Sequence, residues 1–145
     1  MARYSIAGRS TVVGTSARAM VSLFATTTVG CKVREIKVYN TTTTALAVAV
    51  ARFTASTNVG AGLTEAEYDE DAPGPSCTGF AGHTGDGTTG QILEQASLGA
   101  AIGSGVIWTY GDTGLVIQPG GGNGIGLTCP TGTGQICDYT ITWDE

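Results

Sequence analysis

Beyond residue 90 every apolar-rich segment is short and is closed by a glycine- or proline-bearing break. The segments are Gln91–Leu98, Val106–Tyr110, Leu115–Gln118, Gly124–Cys129 and Gln135–Trp143. The breaks fall at Gly99–Gly105, Gly111–Gly114, Pro119–Gly124 and Pro130–Gly134. Segments this short cannot hold an ordinary amphipathic helix, whereas turn signals at this spacing suit a β-sandwich or jelly roll. The last segment alternates, with Cys137, Tyr139, Ile141 and Trp143 on one face and Asp138, Thr140 and Thr142 on the other, which is the period of a half-buried strand.

The N-terminal half reads the same way. Residues 3–29 hold two or three short strands, one of them Met20–Ala25, and Cys31–Tyr39 is another strand. Val33, Ile36 and Val38 cannot all share one face of an unbulged strand, which leaves room for a bulge within it. In Ala45–Thr54, Leu46, Val48 and Val50 face one way and the alanines the other. Alanine favours helix, but the β-branched run and the preceding Thr41–Thr44 favour a strand. A row of alanines admits a close second layer, either the chain's own or another subunit. Thr64 and Glu67 have the spacing of a helix capping box, which predicts one helical turn near 62–72. Pro73-Gly74-Pro75 then forces a turn. Residues 74–90, rich in Gly, Thr and Ser, read as a long exposed loop. The expectation is one all-β domain over 1–145, an antiparallel β-sandwich of jelly-roll type with about eight to ten strands.

Composition supports this reading. The chain has 23 glycines and 23 threonines among 145 residues, and charged residues make up 13%. Disorder needs low hydrophobicity and high charge, and the 41% apolar share excludes it. No apolar run approaches the roughly 18 residues of a membrane span, and Met1–Ser5 lacks the start of a secretory signal. Synthesis and initial residence in a cytoplasm are expected.

Charge is unevenly placed. All seven basic residues lie in the first 52 positions, giving net +6 there and −11 over the remainder. A sandwich that mixes strands from both halves would dilute this split. Otherwise a basic face bearing Lys32, Arg34 and Lys37, with Arg52, would meet an acidic neighbour or shell. Nucleic acid is not the expected partner, because the cations are neither clustered nor interleaved with stacking aromatics.

Little in the chain points to catalysis. Ser76, His83 and Asp86 could be drawn as a triad, but all three sit in one glycine-rich segment, where an exposed loop histidine is the ordinary reading. Glu65, Glu67, Asp69, Glu70 and Asp71 offer oxygens for a cation or a carboxylate pair, yet lack the order of a calcium loop, so a solvated or subunit-facing acidic segment is expected. The glycine stretches lack the residues of a phosphate loop. Trp108, Tyr110 and Trp143 could form a sugar platform, though each lies in a strand pattern where a core role is commoner. Four cysteines, Cys31, Cys77, Cys129 and Cys137, allow three full pairings and match no zinc spacing. In a reducing cytoplasm free buried thiols are expected; Cys129 and Cys137, flanking a turn, are the best candidates for a bond. No cofactor or metal is expected.

Ala2–Arg9, Val33–Asn40, Leu63–Pro73, Gly114–Gly120 and Ile141–Glu145, taken together, resemble small structural proteins of tailed bacteriophages, of the kind encoded near capsid genes. The resemblance implies a non-enzymatic capsid decoration protein: a β-sandwich subunit, often a homotrimer, that binds the major capsid protein on the outside of the virion head. The same family includes tail and fibre components, so a fibre protein binding host glycans through Trp108, Tyr110 and residues 74–90 is the alternative. A lysis hydrolase would need a catalytic pair that the chain does not display.

Overall fold

The computed structural model describes all 145 residues, in which twelve strands build two facing antiparallel sheets. The longer strands are β1 (Arg3–Arg9), β2 (Val21–Phe24), β3 (Cys31–Asn40), β4 (Leu46–Ala55), β8 (Thr88–Leu98), β9 (Gly105–Thr109), β11 (Gly124–Thr128) and β12 (Cys137–Asp144). Between them lie β5 (Ala61–Gly62), β6 (Ala66–Glu67), β7 (Thr78–Ala81) and β10 (Leu115–Ile117). The first sheet runs β10-β3-β12-β1-β6, with β9 paired to β3 beside β10; the second runs β5-β7-β2-β11-β4-β8. Stripped of its short strands, the sandwich is β1-β12-β3-β9 facing β2-β11-β4-β8. That order is a jelly roll: successive strands cross from sheet to sheet in four pairs, β1/β2, β3/β4, β8/β9 and β11/β12. No helix long and apolar enough to cross a membrane is present.

The sheets enclose one main core. Ile6, Leu23, Val33, Ile36, Val38, Val48, Val50, Ile141 and Trp143 are among its fully buried members. β3 carries a bulge. Thr142 pairs with Glu35 and Trp143 with Val33, so Arg34 is the extra residue that lets Val33 and Ile36 both face inward.

A second, smaller cluster lies on the outer side of the second sheet: Ala19, Phe24, Ala51 and Phe53, flanked by Val59 and Phe80. The covering layer is the chain's own segment 10–19. It is tied down by Met20 N–H to Leu127 O (2.8 Å), Cys129 N–H to Thr15 O (3.1 Å) and Gly87 N–H to Ala17 O (2.9 Å). The Ala49–Ala51 end of the alanine face of β4 is therefore covered by the chain's own segment, while Ala45 stays exposed and Ala47 half-buried, and residues 3–29 contain two strands.

Two further expectations are corrected. Residues 74–90 are not a long exposed loop: β7 pairs with β2 and β5, and β8 begins at Thr88. The alternation of β7 is hidden because Gly79 takes an inward position, where a Cβ would sit 2.6 Å from Ile6 Cδ1. Nor does a helical turn form near Thr64. Ala66 and Glu67 instead pair with Ser5 and Tyr4 along the edge of β1, so backbone pairing across the sheet prevails over the local capping signal.

Candidate contact surfaces

On the outer face of the first sheet, strands from the two ends of the chain interleave. Arg3, Arg9, Lys32, Arg34 and Lys37 from β1 and β3 meet Glu35, Asp138 and Asp144 from β3 and β12. Asp144 is the centre: its Oδ1 accepts from Arg3 Nε at 2.8 Å and its Oδ2 from Arg34 Nε at 2.6 Å. Arg34 Nη1 also donates to the carbonyls of Gly111 and Asp112, fastening the turn between β9 and β10 to the sheet. The bond from Arg3, with that from Arg34 behind it, holds Asp144 below the usual carboxylate range against the opposing effect of burial. Arg9 does the same for Asp138, at 2.7 Å, and Lys37 Nζ lies 2.9 Å from Glu35.

Strand pairing thus brings three of the N-terminal arginines to two of the eleven C-terminal acids, and the fourth ion pair, Lys37–Glu35, lies within β3 itself. Of the four cations expected to form a contact patch, Arg34 is engaged in structural bonds, while Lys32 and Lys37 stay half-exposed on this face. Arg52 is not with them. It lies on β4 in the opposite sheet, beside Thr54, Val116 and Gln118 in a depression at the sandwich edge. The four do not make one patch.

His83 is also not where the sequence suggested. It is 1% exposed, its Nε2 is 2.8 Å from Ser22 Oγ, and its ring stands edge-on to Phe53 at 6.2 Å between centroids. Ser76 and Asp86 take no part in this contact. Ser22 is fully buried, Nδ1 of His83 has no partner, and neither residue lines a surface depression. The pair packs the outer cluster of the second sheet, with no room for a substrate.

Burial lowers the pKa of His83 below its ordinary 6.5. The unfolded chain then takes up a proton that the folded chain refuses, so stability present above pH 6.5 is lost as pH falls below it. The slope is bounded by about 1.4 kcal/mol per pH unit. Asp138 and Asp144 begin to contribute only nearer their own ordinary value of 3.8. Denaturant titrations at pH 7.5 and 5.0 should show a drop for the wild type and a much smaller one for His83→Gln, whose amide can keep the Ser22 bond. Equal drops would show that His83 does not carry the effect.

The other candidates resolve into structural roles. Trp143 is fully buried, and Trp108 and Tyr110 are half-buried against the core, so the three form no sugar platform. Glu65 accepts from the Gly79 N–H at 3.0 Å, and Asp69 from the Asp71 N–H at 3.1 Å. No three His, Cys, Asp or Glu side chains gather to hold a metal ion. All four cysteines are buried free thiols.

The surface that sequence reasoning missed lies where β8, β9 and β10 end the two sheets on the same side of the sandwich. Residues 88–117 carry only two charges, Glu94 and Asp112. They also expose four of the seven exposed large apolar side chains of the protein: Ile92 (49%) opposite Ala51 in the second sheet, Ile107 (49%) and Val116 (37%) opposite Lys37 and Lys32 in the first, and Ile102 (72%) in the loop between β8 and β9. β8 and β9 each pair on one side only, with β4 and β3, which leaves open edges there. Searches against models of protein families, against curated proteins and against solved structures found no match.

Proposed function

We propose that this protein is a non-enzymatic structural subunit of a bacteriophage particle, a decoration protein that binds the major capsid protein on the outside of the head and assembles as a homotrimer. One observation carries the reading: the charge-poor, isoleucine-bearing side formed by β8, β9 and β10. Open, uncharged edge strands and exposed apolar clusters are what natural proteins avoid unless a partner covers them. A closed ring repeats one such contact around its axis, and a sister subunit is the partner of matching chemistry. The jelly roll adds support by analogy, since it recurs in viral capsid domains. The half-exposed Lys32 and Lys37, cross-strand neighbours of Val116 and Ile107 at the border of that side, offer cations to an acidic shell. Its work is adhesion, which needs no cofactor, nucleic acid or membrane. The fibre alternative called for exposed Trp108 and Tyr110, and both pack toward the core.

The test uses two surface variants that spare the ion pairs of Arg34. Ile92→Asp with Ile107→Asp is expected to convert the oligomer to monomer in sedimentation. Lys32→Glu with Lys37→Glu is expected to abolish binding to heads that lack the protein. If both double variants still coat heads as oligomers, the proposal is wrong.

A further inference from the structure

The four cysteines fall into two pairs, and each pair bridges the two sheets. Cys31 opens β3 in the first sheet, and Cys77 immediately precedes β7 in the second. Cys77 Sγ lies 3.9 Å from the Val29 carbonyl, two residues before Cys31, and the neighbouring Cys77 thiol, ahead of burial, pushes the Cys31 thiol above its ordinary range. Cys77 is held in place from below: its N–H donates to Glu145 Oε1 at 2.8 Å, and the same oxygen accepts from Trp143 Nε1 at 2.9 Å.

The second pair is built in the same way. Cys129 follows β11 in the second sheet, and Cys137 opens β12 in the first. The Cys137 thiol lies 3.7 Å from the Gln135 carbonyl, and after burial the neighbouring Cys129 thiol helps to push it up. The Cys137 backbone is fixed by Ser10, whose Oγ accepts from its N–H at 3.0 Å and whose N–H donates to its carbonyl at 2.8 Å. Cys137 pairs in register with Asn40, at the opposite end of β3 from Cys31. About nine strand residues, or roughly 30 Å, therefore separate the two pairs, and exchange between them is ruled out in the folded protein.

We propose that Cys31/Cys77 and Cys129/Cys137 are two latent disulfides, one at each end of the jelly roll, that close and lock the sheets together when the protein passes from a reducing to an oxidising environment. The oxidant is a small-molecule disulfide such as oxidised glutathione. One protein thiolate displaces a glutathione thiolate to form a mixed disulfide. The second protein thiolate then displaces the other glutathione. Two protein S–H bonds are lost, one S–S bond forms in the protein, and two molecules of reduced glutathione carry away the two electrons and two protons.

Closure is slow. The thiols are at most 4% exposed, and burial pushes Cys137 up to about 12 and Cys129 above its ordinary value. Little thiolate is present at neutral pH, and local opening gates the reaction. In a reducing cytoplasm the same four residues remain thiols, so the fold forms before the locks do.

The experiment uses the native full chain. It is incubated with excess oxidised glutathione, quenched by alkylation, and read by intact mass and peptide mapping. The expected result is loss of four hydrogens, about 4 Da, with Cys31 linked to Cys77 and Cys129 to Cys137. Apparent Tm should rise by roughly 10 °C and return with dithiothreitol. Cys31→Ala with Cys77→Ala should form only the Cys129–Cys137 bond, and Cys129→Ala with Cys137→Ala only the other. Four alkylatable thiols after prolonged oxidation, stable glutathione adducts, or any link between the two pairs would overturn the proposal. Because the mapping is done on wild-type protein, the outcome does not depend on the variants folding.

Discussion

Trp143→Ala should cost about 4 kcal/mol and lower Tm by roughly 10–15 °C. Trp143 is fully buried on β12, the strand that joins β1 to β3 at the centre of the first sheet. Its ring lies against Tyr4, with 6.0 Å between centroids, and its Nε1 holds the Glu145 carboxylate that in turn caps Ser76 and Cys77. The substitution leaves a cavity that the paired strands on both sides cannot close, and it removes the indole N–H that steadies the Glu145 carboxylate against Ser76 and Cys77. Trp143→Phe keeps most of the volume and loses the N–H, so its cost should be nearer 1–2 kcal/mol. Urea titrations of both variants check this order. A Trp143→Ala loss below about 1 kcal/mol would mean that the site is not a closed core.

Gly126→Val should destabilise by about 3 kcal/mol, through overpacking on the opposite side of the molecule. Gly126 sits mid-strand on β11, between β2 and β4. A Cβ there would fall 2.6 Å from Phe53 Cε2 and 2.9 Å from Ala19 Cβ, too close for either to remain in place. The inner core is untouched, so the strain should fall on the segment 10–19 that covers this face. Hydrogen exchange should accelerate at Met20, whose amide is bonded to Leu127 just beside the clash. Phe53→Leu should be destabilising alone, yet partly restore Gly126→Val, because it removes the obstructing ring edge. Strict additivity of the two substitutions would show that the contact does not limit packing.

The amino-acid sequence by itself determined the all-β class, most strand positions and the room for a bulge in β3. These depend on information carried within a few residues: the period-two alternation of β4 and β12, the turn residues between segments, and three apolar side chains whose spacing no regular strand can present on one face. Tertiary structure decided what those strands face. β7 stayed hidden because its inward position is a glycine, whose meaning depends on Ile6, more than seventy residues away in sequence. His83 reads as polar and exposed until Ser22 and Phe53 are brought to it. Lys32, Arg34, Lys37 and Arg52 look like one basic group along the chain, yet β3 and β4 belong to different sheets and Asp144 arrives from the C-terminus to claim Arg34. The cysteine pairs and the open side at β8, β9 and β10 arise from the same cause. In a jelly roll nearly every contact joins residues far apart in sequence, so composition and spacing establish the strands while the sheet order establishes their partners.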